Sequence, residues 1–86
     1  MSKKTNAPIF SQQLGAIRGS VWESSTDEGR VFHNVTITRS YREKNIEEWK
    51  ESSSFNGLAD LALVREVARL AANWIEQRER ELEAND

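Results

Sequence analysis

Apolar and polar residues alternate over the first two thirds of the chain, between Pro8 and Phe55. Alternation of Val, Ile, Thr and aromatic residues with polar residues, at a period of two, is typical of half-buried β-strands. The alternation predicts three strands, at about residues 14–23, 30–41 and 47–55. Residues 10–13 either extend the first strand, with Gly15 as a bend or bulge, or form a fourth strand if the first is split at Gly15. The pattern therefore predicts an antiparallel β-meander of three to four strands.

The alternation also predicts which residues face each other, because opposed residues of antiparallel strands share a face. Pairing Trp22 with Phe32 and Tyr41 with Trp49 gives two hairpins that agree on the two faces. The predicted core face carries Ile17, Val21, Val35, Ile37, Tyr41, Trp49 and Phe55. The opposite face is rich in hydroxyl groups and carries Arg18, Ser20, Trp22, Phe32, Asn34, Thr36, Thr38, Ser40, Lys50, Ser52 and Ser54.

The remainder of the chain, residues 57–82, has the composition of a helix, with no Gly or Pro after Gly57. Its apolar residues recur at helical spacing and form a band wider than one small sheet can cover. We therefore expect a homodimer that uses the excess of this band. The predicted dimer interface consists of Leu63, Val67, Leu70 and Trp74.

Together these segments predict one α+β domain, in which a meander is followed by a long C-terminal helix packed on one sheet face. A chain of 86 residues is long enough for one modest core and no more. The expected organisation is a flexible N-terminus at residues 1–8, the domain at 9–82 and a polar tail at 83–86.

The side chains required for most catalytic chemistry are scarce. The chain has no cysteine and a single histidine, His33, so neither disulfides nor Cys- or His-based metal sites are expected. No nucleophile motif or phosphate-binding glycine loop is present. We therefore expect no enzyme, no cofactor and no metal, and a structural role for His33.

The cellular location follows from the absence of membrane and export signals. No apolar run approaches membrane-spanning length, and no signal peptide opens the chain, so a cytoplasmic protein without membrane contact is expected. The net charge of −2 gives no overall attraction for nucleic acid. An anion site would have to come from a local arrangement of basic residues.

Such an arrangement is predicted on the sheet face away from the helix, where Arg18, Trp22, Phe32 and Lys50 lie together. Two aromatic side chains on a polar face provide a stacking platform for unpaired bases, and the two cations would meet phosphates. Arg39 and Arg42 extend the basic residues towards the second turn. Two alternatives remain open here. In the first, the aromatic residues form no platform, because they cover each other or are capped by the segment around Phe10. In the second, Arg39 forms a cross-strand ion pair with Glu51, which competes with its binding to phosphate.

The motifs in these strands resemble those of a family of small, largely uncharacterised bacterial proteins. The shared pattern is G-x-I-x-x-x-x-W, then V-T-x-x-R-S-Y, then E-W-K-x-x-x-S-F, at residues 15–22, 35–41 and 48–55. The resemblance covers about residues 10–75. It implies the same sheet-then-helix layout.

The order of elements is also similar to the single-stranded-DNA-binding domain of the eukaryotic positive-cofactor transcriptional coactivator. That domain is a curved antiparallel sheet with one helix, which dimerises and binds unpaired DNA on the sheet. The resemblance rests on residues 15–18 and 39–41. It implies a binding groove lined by Arg18, Trp22, Phe32, Arg39, Arg42 and Lys50. The present chain is more acidic and has few lysines on its sheet.

Two functions are consistent with the sequence. The first is a non-enzymatic, coactivator-like module that binds single-stranded DNA or RNA as a homodimer. The second is a protein–protein interaction or assembly module without affinity for nucleic acid. A continuous positive groove on the sheet would favour the first, and a patchwork of charges the second.

Overall fold

The computed structural model describes residues 7–84, which form a four-stranded antiparallel sheet and one helix. The elements are β1 (Phe10–Leu14), β2 (Ile17–Ser25), β3 (Val31–Arg42), β4 (Trp49–Ser52) and α1 (Gly57–Ala84). The strands are neighbours in sequence order, as in a meander. The predicted α+β fold is confirmed. Residues 1–6 of the predicted N-terminus and residues 85–86 of the predicted tail lie outside the described residues.

Gly15 divides the predicted first strand into β1 and β2. These strands pair with each other across a two-residue turn, with Leu14 opposite Ile17. Gly15 has a φ of 61°, in the left-handed region that the first central position of such a hairpin turn requires. Gly15 therefore begins a reversal of the chain, which is the alternative with four strands, and not a bend or bulge within one continuous strand.

The predicted pairing of the second and third strands was wrong by two residues. Trp22 lies opposite Asn34, and Phe32 lies opposite Ser24. Because the side chains of a strand alternate, a shift by two leaves every residue of β2 and β3 on its predicted face. Val21, Val35 and Ile37 accordingly share one side of the sheet.

The predicted pairing of β3 with β4 was wrong by one residue, which does exchange the faces. Tyr41 lies opposite Lys50, and Arg42 lies opposite Trp49. The connection covers residues 43–48, whereas the predicted strands leave residues 42–46 between them, and Asn45 adopts a positive φ of 70° within it. As a result, Trp49 lies on the face that Lys50 was predicted to occupy, and Lys50 lies on the other.

The helix packs closely on β2 because Gly19 has no side chain. A Cβ atom at this position would overlap Cγ1 of Val67. Val67 is fully buried there, together with Ile17 and Val21 of the underlying strand, and Ala71 is nearly so. These four side chains are the only fully or nearly fully buried apolar residues of the described part of the chain. The core is therefore small for a domain of this length.

The four residues of the predicted dimer interface lie on the flank of α1 that meets its own sheet or beside it. Val67 has no exposed surface, and the ring of Trp74 stacks on Phe10 with 5.4 Å between ring centroids. Leu63 lies over Gly15. Leu70 is half-buried. The most exposed large apolar residues of the helix are instead Leu58, at 83%, and Leu61, at 52%.

A hydrogen-bonded ion pair joins the far half of the helix to β2. Arg78 donates from Nε and Nη2 to the two carboxylate oxygens of Glu23, at 2.8 and 3.0 Å. His33 Nε2 lies 2.9 Å from the same carboxylate, and its ring meets Trp74 edge-on. The two bonds from Arg78 are the main cause that lowers the pKa of Glu23 from 4.5 to about 2, against the opposing effect of burial.

We expect Gly19→Ala to destabilise the domain, because the added methyl group must displace Val67 or the helix. Overpacking of this kind costs about 1–3 kcal/mol. Urea denaturation of Gly19→Ala, Val67→Ala and the double variant measures the effect. The two substitutions should be non-additive, with the double variant more stable than the sum of the single effects predicts. Strict additivity would contradict a direct contact between the two positions.

The Glu23–Arg78 pair predicts a loss of stability in acid. A carboxyl group whose pKa is lower in the folded state stabilises the fold above its unfolded pKa, and this contribution disappears as the pH falls from about 4.5 to about 2. The free energy of unfolding, measured with urea at pH 6 and pH 3, should therefore decrease more for the wild type than for Glu23→Gln. Glu76→Gln is the matched control, since Glu76 faces Arg80 across 3.7 Å on the exposed side of the helix. An equal acid loss in Glu23→Gln and the wild type would exclude this role.

Candidate nucleic-acid interface

The sheet face away from α1, here called the open face, is formed by alternate residues of all four strands. The register places on it the side chains of Ser11, Gln13, Arg18, Ser20, Trp22, Ser24, Phe32, Asn34, Thr36, Thr38, Ser40, Arg42, Trp49 and Glu51. Hydroxyl and amide groups predominate. Three aromatic rings and two arginines stand among them, with Glu51 as the one carboxylate of these strand positions.

Trp22 and Phe32 are diagonal neighbours on this face. Trp22 lies opposite Asn34, and Phe32 is two residues from Asn34 along β3, which separates the two aromatic residues by about 7–8 Å. The indole Nε1 of Trp22 donates to Oγ1 of Thr36 at 3.1 Å, so the ring is held in one orientation on the sheet. Phe32 is 43% exposed and Trp22 is half-buried. Phe10, the proposed cap, stacks on Trp74 on the other side of the sheet.

Arg18 lies near the middle of the open face, opposite Thr38. Its Nη2 and Nε atoms donate to Oε1 of Gln13 on β1, at 2.7 and 3.3 Å. An amide oxygen holds the guanidinium in place without neutralising it, so the positive charge remains available to an anion.

A second cationic group stands at the far end of β3. The guanidinium of Arg42 lies over the ring of Trp49, 5.6 Å from its centroid. Trp49 is 68% exposed, which is the largest exposed fraction among the aromatic residues. The pair presents an exposed ring beside a positive charge, the combination that stacks a base and attracts its phosphate.

Arg39 and Lys50 do not belong to this face. Arg39 lies on the helix side, where its Nε donates to the carbonyl oxygen of Ser54 at 3.0 Å and lies 3.7 Å from Oδ2 of Asp60. It faces Ser52 across the sheet, so the predicted cross-strand pair with Glu51 was wrong. Lys50 is also turned to the helix side and donates to Oε1 of Glu43 at 3.0 Å.

The structure therefore brings together four of the six predicted binding residues, Arg18, Trp22, Phe32 and Arg42. It adds Trp49, which the sequence pattern assigned to the core. The feature of the sequence that could have placed Trp49 on the open face is the length of the connection between β3 and β4. A turn that ends at Glu48 makes Trp49 the first residue of β4, opposite Arg42.

Two further observations concern other kinds of site. Among residues 7–84, no three His, Cys, Asp or Glu side chains are grouped closely enough to hold a metal ion. The helix α1 of this part of the chain is not apolar enough over its length to cross a bilayer.

The exposure of Trp49 predicts that its removal leaves the fold intact. Trp49→Ala should change the free energy of unfolding by less than about 0.5 kcal/mol, as is usual for surface positions. Trp74→Ala removes a ring that is packed on Phe10 and should cost about 3–5 kcal/mol. Urea denaturation followed by far-UV circular dichroism compares the two variants. If Trp49→Ala instead lowers the free energy of unfolding by several kcal/mol, Trp49 belongs to the core and the register of β4 is rejected.

The comparisons with known proteins leave the fold and the open face as the basis for a functional argument. No protein-family model matches the chain, no curated protein matches it in sequence, and no solved structure matches its fold.

Proposed function

We propose that this protein is a non-enzymatic module that binds single-stranded nucleic acid on the open face and acts as a homodimer. The observation that carries the proposal is the row of aromatic rings on a polar sheet face, Phe32, Trp22 and Trp49, with Arg18 and Arg42 between and beside them. These aromatic rings are not needed for the core, because the helix packs on the other face of the sheet.

The dimensions of the open face suit an extended strand. Phe32 and Arg42 are ten residues apart on β3, a distance of about 33 Å at the rise of a β-strand. Aromatic stacking is tolerant of sequence because every base has a π-face, and each stacked base contributes about 1–3 kcal/mol. The hydroxyl groups of Ser40, Thr38 and Thr36 and the amide of Asn34 are available to phosphate or base edges along the same line.

The charge of the molecule limits the expected affinity. Two arginines and one carboxylate on the open face, in a chain with a net charge of −2, give few phosphate contacts. The logarithm of the binding constant should fall with the logarithm of the salt concentration, with a slope of about −0.7 per phosphate neutralised. A shallow slope of about −1 to −2 is therefore expected.

A protein–protein interaction module is the second candidate. It is favoured by Leu58 and Leu61, two exposed apolar residues that are one turn apart on α1 and away from the open face. Isolated exposed apolar residues are normal, whereas a group of them marks a contact surface. This candidate predicts no affinity for nucleic acid at any salt concentration.

The decisive measurement is fluorescence anisotropy with a labelled single strand of about 20 nucleotides, long enough to cover more than one site of this size. It is made at low and at physiological salt. Trp22→Ala, Trp49→Ala and Arg18→Gln should each weaken binding, the aromatic substitutions by about 5-fold or more according to the energy of one stacked base. Arg18→Gln should also reduce the salt dependence.

Lys50→Gln and Leu58→Ala are the matched controls, because both residues are exposed and neither lies on the open face. Their affinities should equal that of the wild type. No binding at low salt would reject the nucleic-acid function and favour the interaction module. Equal losses in Lys50→Gln and Arg18→Gln would show that binding does not use the open face.

A further inference from the structure

The edge of β3 is only partly paired. On one side β3 pairs with β2 along nine residues, Val31 to Arg39. On its other side β4 covers only the four residues from Arg39 to Arg42. Within the described residues, no strand pairs with this second side of β3 from Val31 to Thr38. The segment is here called the free edge.

The backbone groups of the free edge can be assigned residue by residue. The N–H of Ser40 donates to the carbonyl of Ala16, so the even-numbered residues of β3 direct their N–H and C=O groups towards β2. Alternation then directs the groups of the odd-numbered residues to the opposite side. On the free edge these are Val31, His33, Val35 and Ile37.

The sequence of the free edge has none of the features that keep an edge from pairing. It reads Val-Phe-His-Asn-Val-Thr-Ile-Thr, with high β-propensity and no Lys, Arg, Asp, Glu or Pro. The edge strand β4, in contrast, is four residues long and carries Lys50 and Glu51, and the edge strand β1 follows closely on Pro8. An uncharged edge of eight residues attracts another strand unless a specific partner covers it.

The helix side of the free edge is covered only in part, since His33 is packed against Glu23 and Trp74 but its neighbours Val31 and Val35 are exposed. Most of the contact of α1 with the sheet is with β1 and β2. Val35 lies on the helix side of the sheet yet is 42% exposed, and Val31 is 36% exposed. A core of four buried apolar side chains leaves the single chain with little stabilisation, so burial of these residues against a partner has a clear benefit.

We propose that the free edge of β3 pairs antiparallel with the free edge of a second copy of this chain. The result is one continuous sheet with the strand order β1-β2-β3-β3-β2-β1 across a two-fold axis at Asn34, in which each β4 lies beyond the end of the partner's β3. The proposal deepens the homodimer of the proposed function and assigns its interface to β3 rather than to the helix. It rests on the backbone geometry of β3 and needs no nucleic acid.

The position of the axis follows from the assignment of the backbone groups. With Asn34 opposite Asn34 of the second copy, Val31 faces Ile37 and His33 faces Val35. All four outward-pointing residues of each copy are then in hydrogen-bonded pairs, which satisfies every free N–H and C=O group from Val31 to Ile37. A shift of the axis by one residue to Val35 leaves Val31 of each copy opposite Arg39, whose groups already pair with Ser52 of β4.

The same pairing joins the two open faces. Side chains of opposed residues share a face, so the even-numbered residues of both copies remain on one surface. Phe32 comes to lie opposite Thr36 of the second copy, beside its Trp22. The dimer therefore presents two sets of aromatic rings on one continuous sheet, related by the two-fold axis.

Disulfide trapping tests this arrangement directly, because the natural chain has no cysteine. At a non-hydrogen-bonded antiparallel pair the Cα atoms are about 4.5 Å apart, within the range that a disulfide spans. Asn34→Cys should therefore form a covalent dimer on mild oxidation without nucleic acid. Thr36→Cys is the matched control on the same strand and face, since the two cysteines would be about 13 Å apart. It should remain monomeric on a non-reducing gel.

Light scattering after size exclusion provides the second measurement. The wild type should have twice the mass of the chain, and Val35→Lys should have half the wild-type value with an unchanged circular dichroism spectrum. Leu58→Lys places the same charge on an exposed apolar residue away from β3 and should remain dimeric. A monomeric wild type overturns the proposal, as does a dimer that Val35→Lys leaves intact. Cross-linking of Thr36→Cys in preference to Asn34→Cys overturns the register. Because nucleic acid is absent throughout, these outcomes are independent of the binding assay.

Discussion

The contact between Gly19 and Val67 determines how the helix and the sheet are arranged. Because position 19 has no side chain, the helix lies close enough to β2 for Val67 to be fully buried against the sheet. Ile17 and Val21, on the same face of β2, are buried by the same approach. A helix placed over β2 covers β1 as well but only part of β3. The helix position that the Gly19–Val67 contact requires thus leaves part of β3 uncovered.

The second attachment of the helix is electrostatic. Three turns beyond Val67, Arg78 donates two hydrogen bonds to the carboxylate of Glu23 on β2. His33 and Trp74 lie beside this pair. A partly buried ion pair with two aligned hydrogen bonds is stronger than a fully exposed pair, and its geometry orients the helix as well as attracting it. The apolar contact and the ion pair lie at two points along one helix. Together they define its direction across the sheet.

The two unpartnered surfaces have different physical character. The open face is polar, and its aromatic rings stand among hydroxyl groups and arginines, which suits a ligand with flat bases and negative phosphates. The free edge of β3 offers backbone groups and short apolar side chains, which suit a strand. One β-strand contributes to both, because its side chains and its backbone groups point in perpendicular directions.

The sequence by itself determined the class of fold, the strand faces of β2 and β3, and four members of the candidate site. Alternation has a period of two, so a pairing error of two residues still leaves Trp22, Phe32 and Arg18 on the correct side. Only the tertiary structure decided the side of Trp49 and Lys50, whereas alternation along β3 already put Arg39 on the face of Val35 and Ile37. The side of Trp49 and Lys50 depends on the length of the turn before β4, about which alternation within one strand carries no information. The contacts of Arg39 with Ser54 and Asp60 also required the folded chain, because they come from segments distant in sequence. The reach of β4 along β3 was likewise a property of the folded chain, since it depends on where the backbone leaves the sheet to begin the helix.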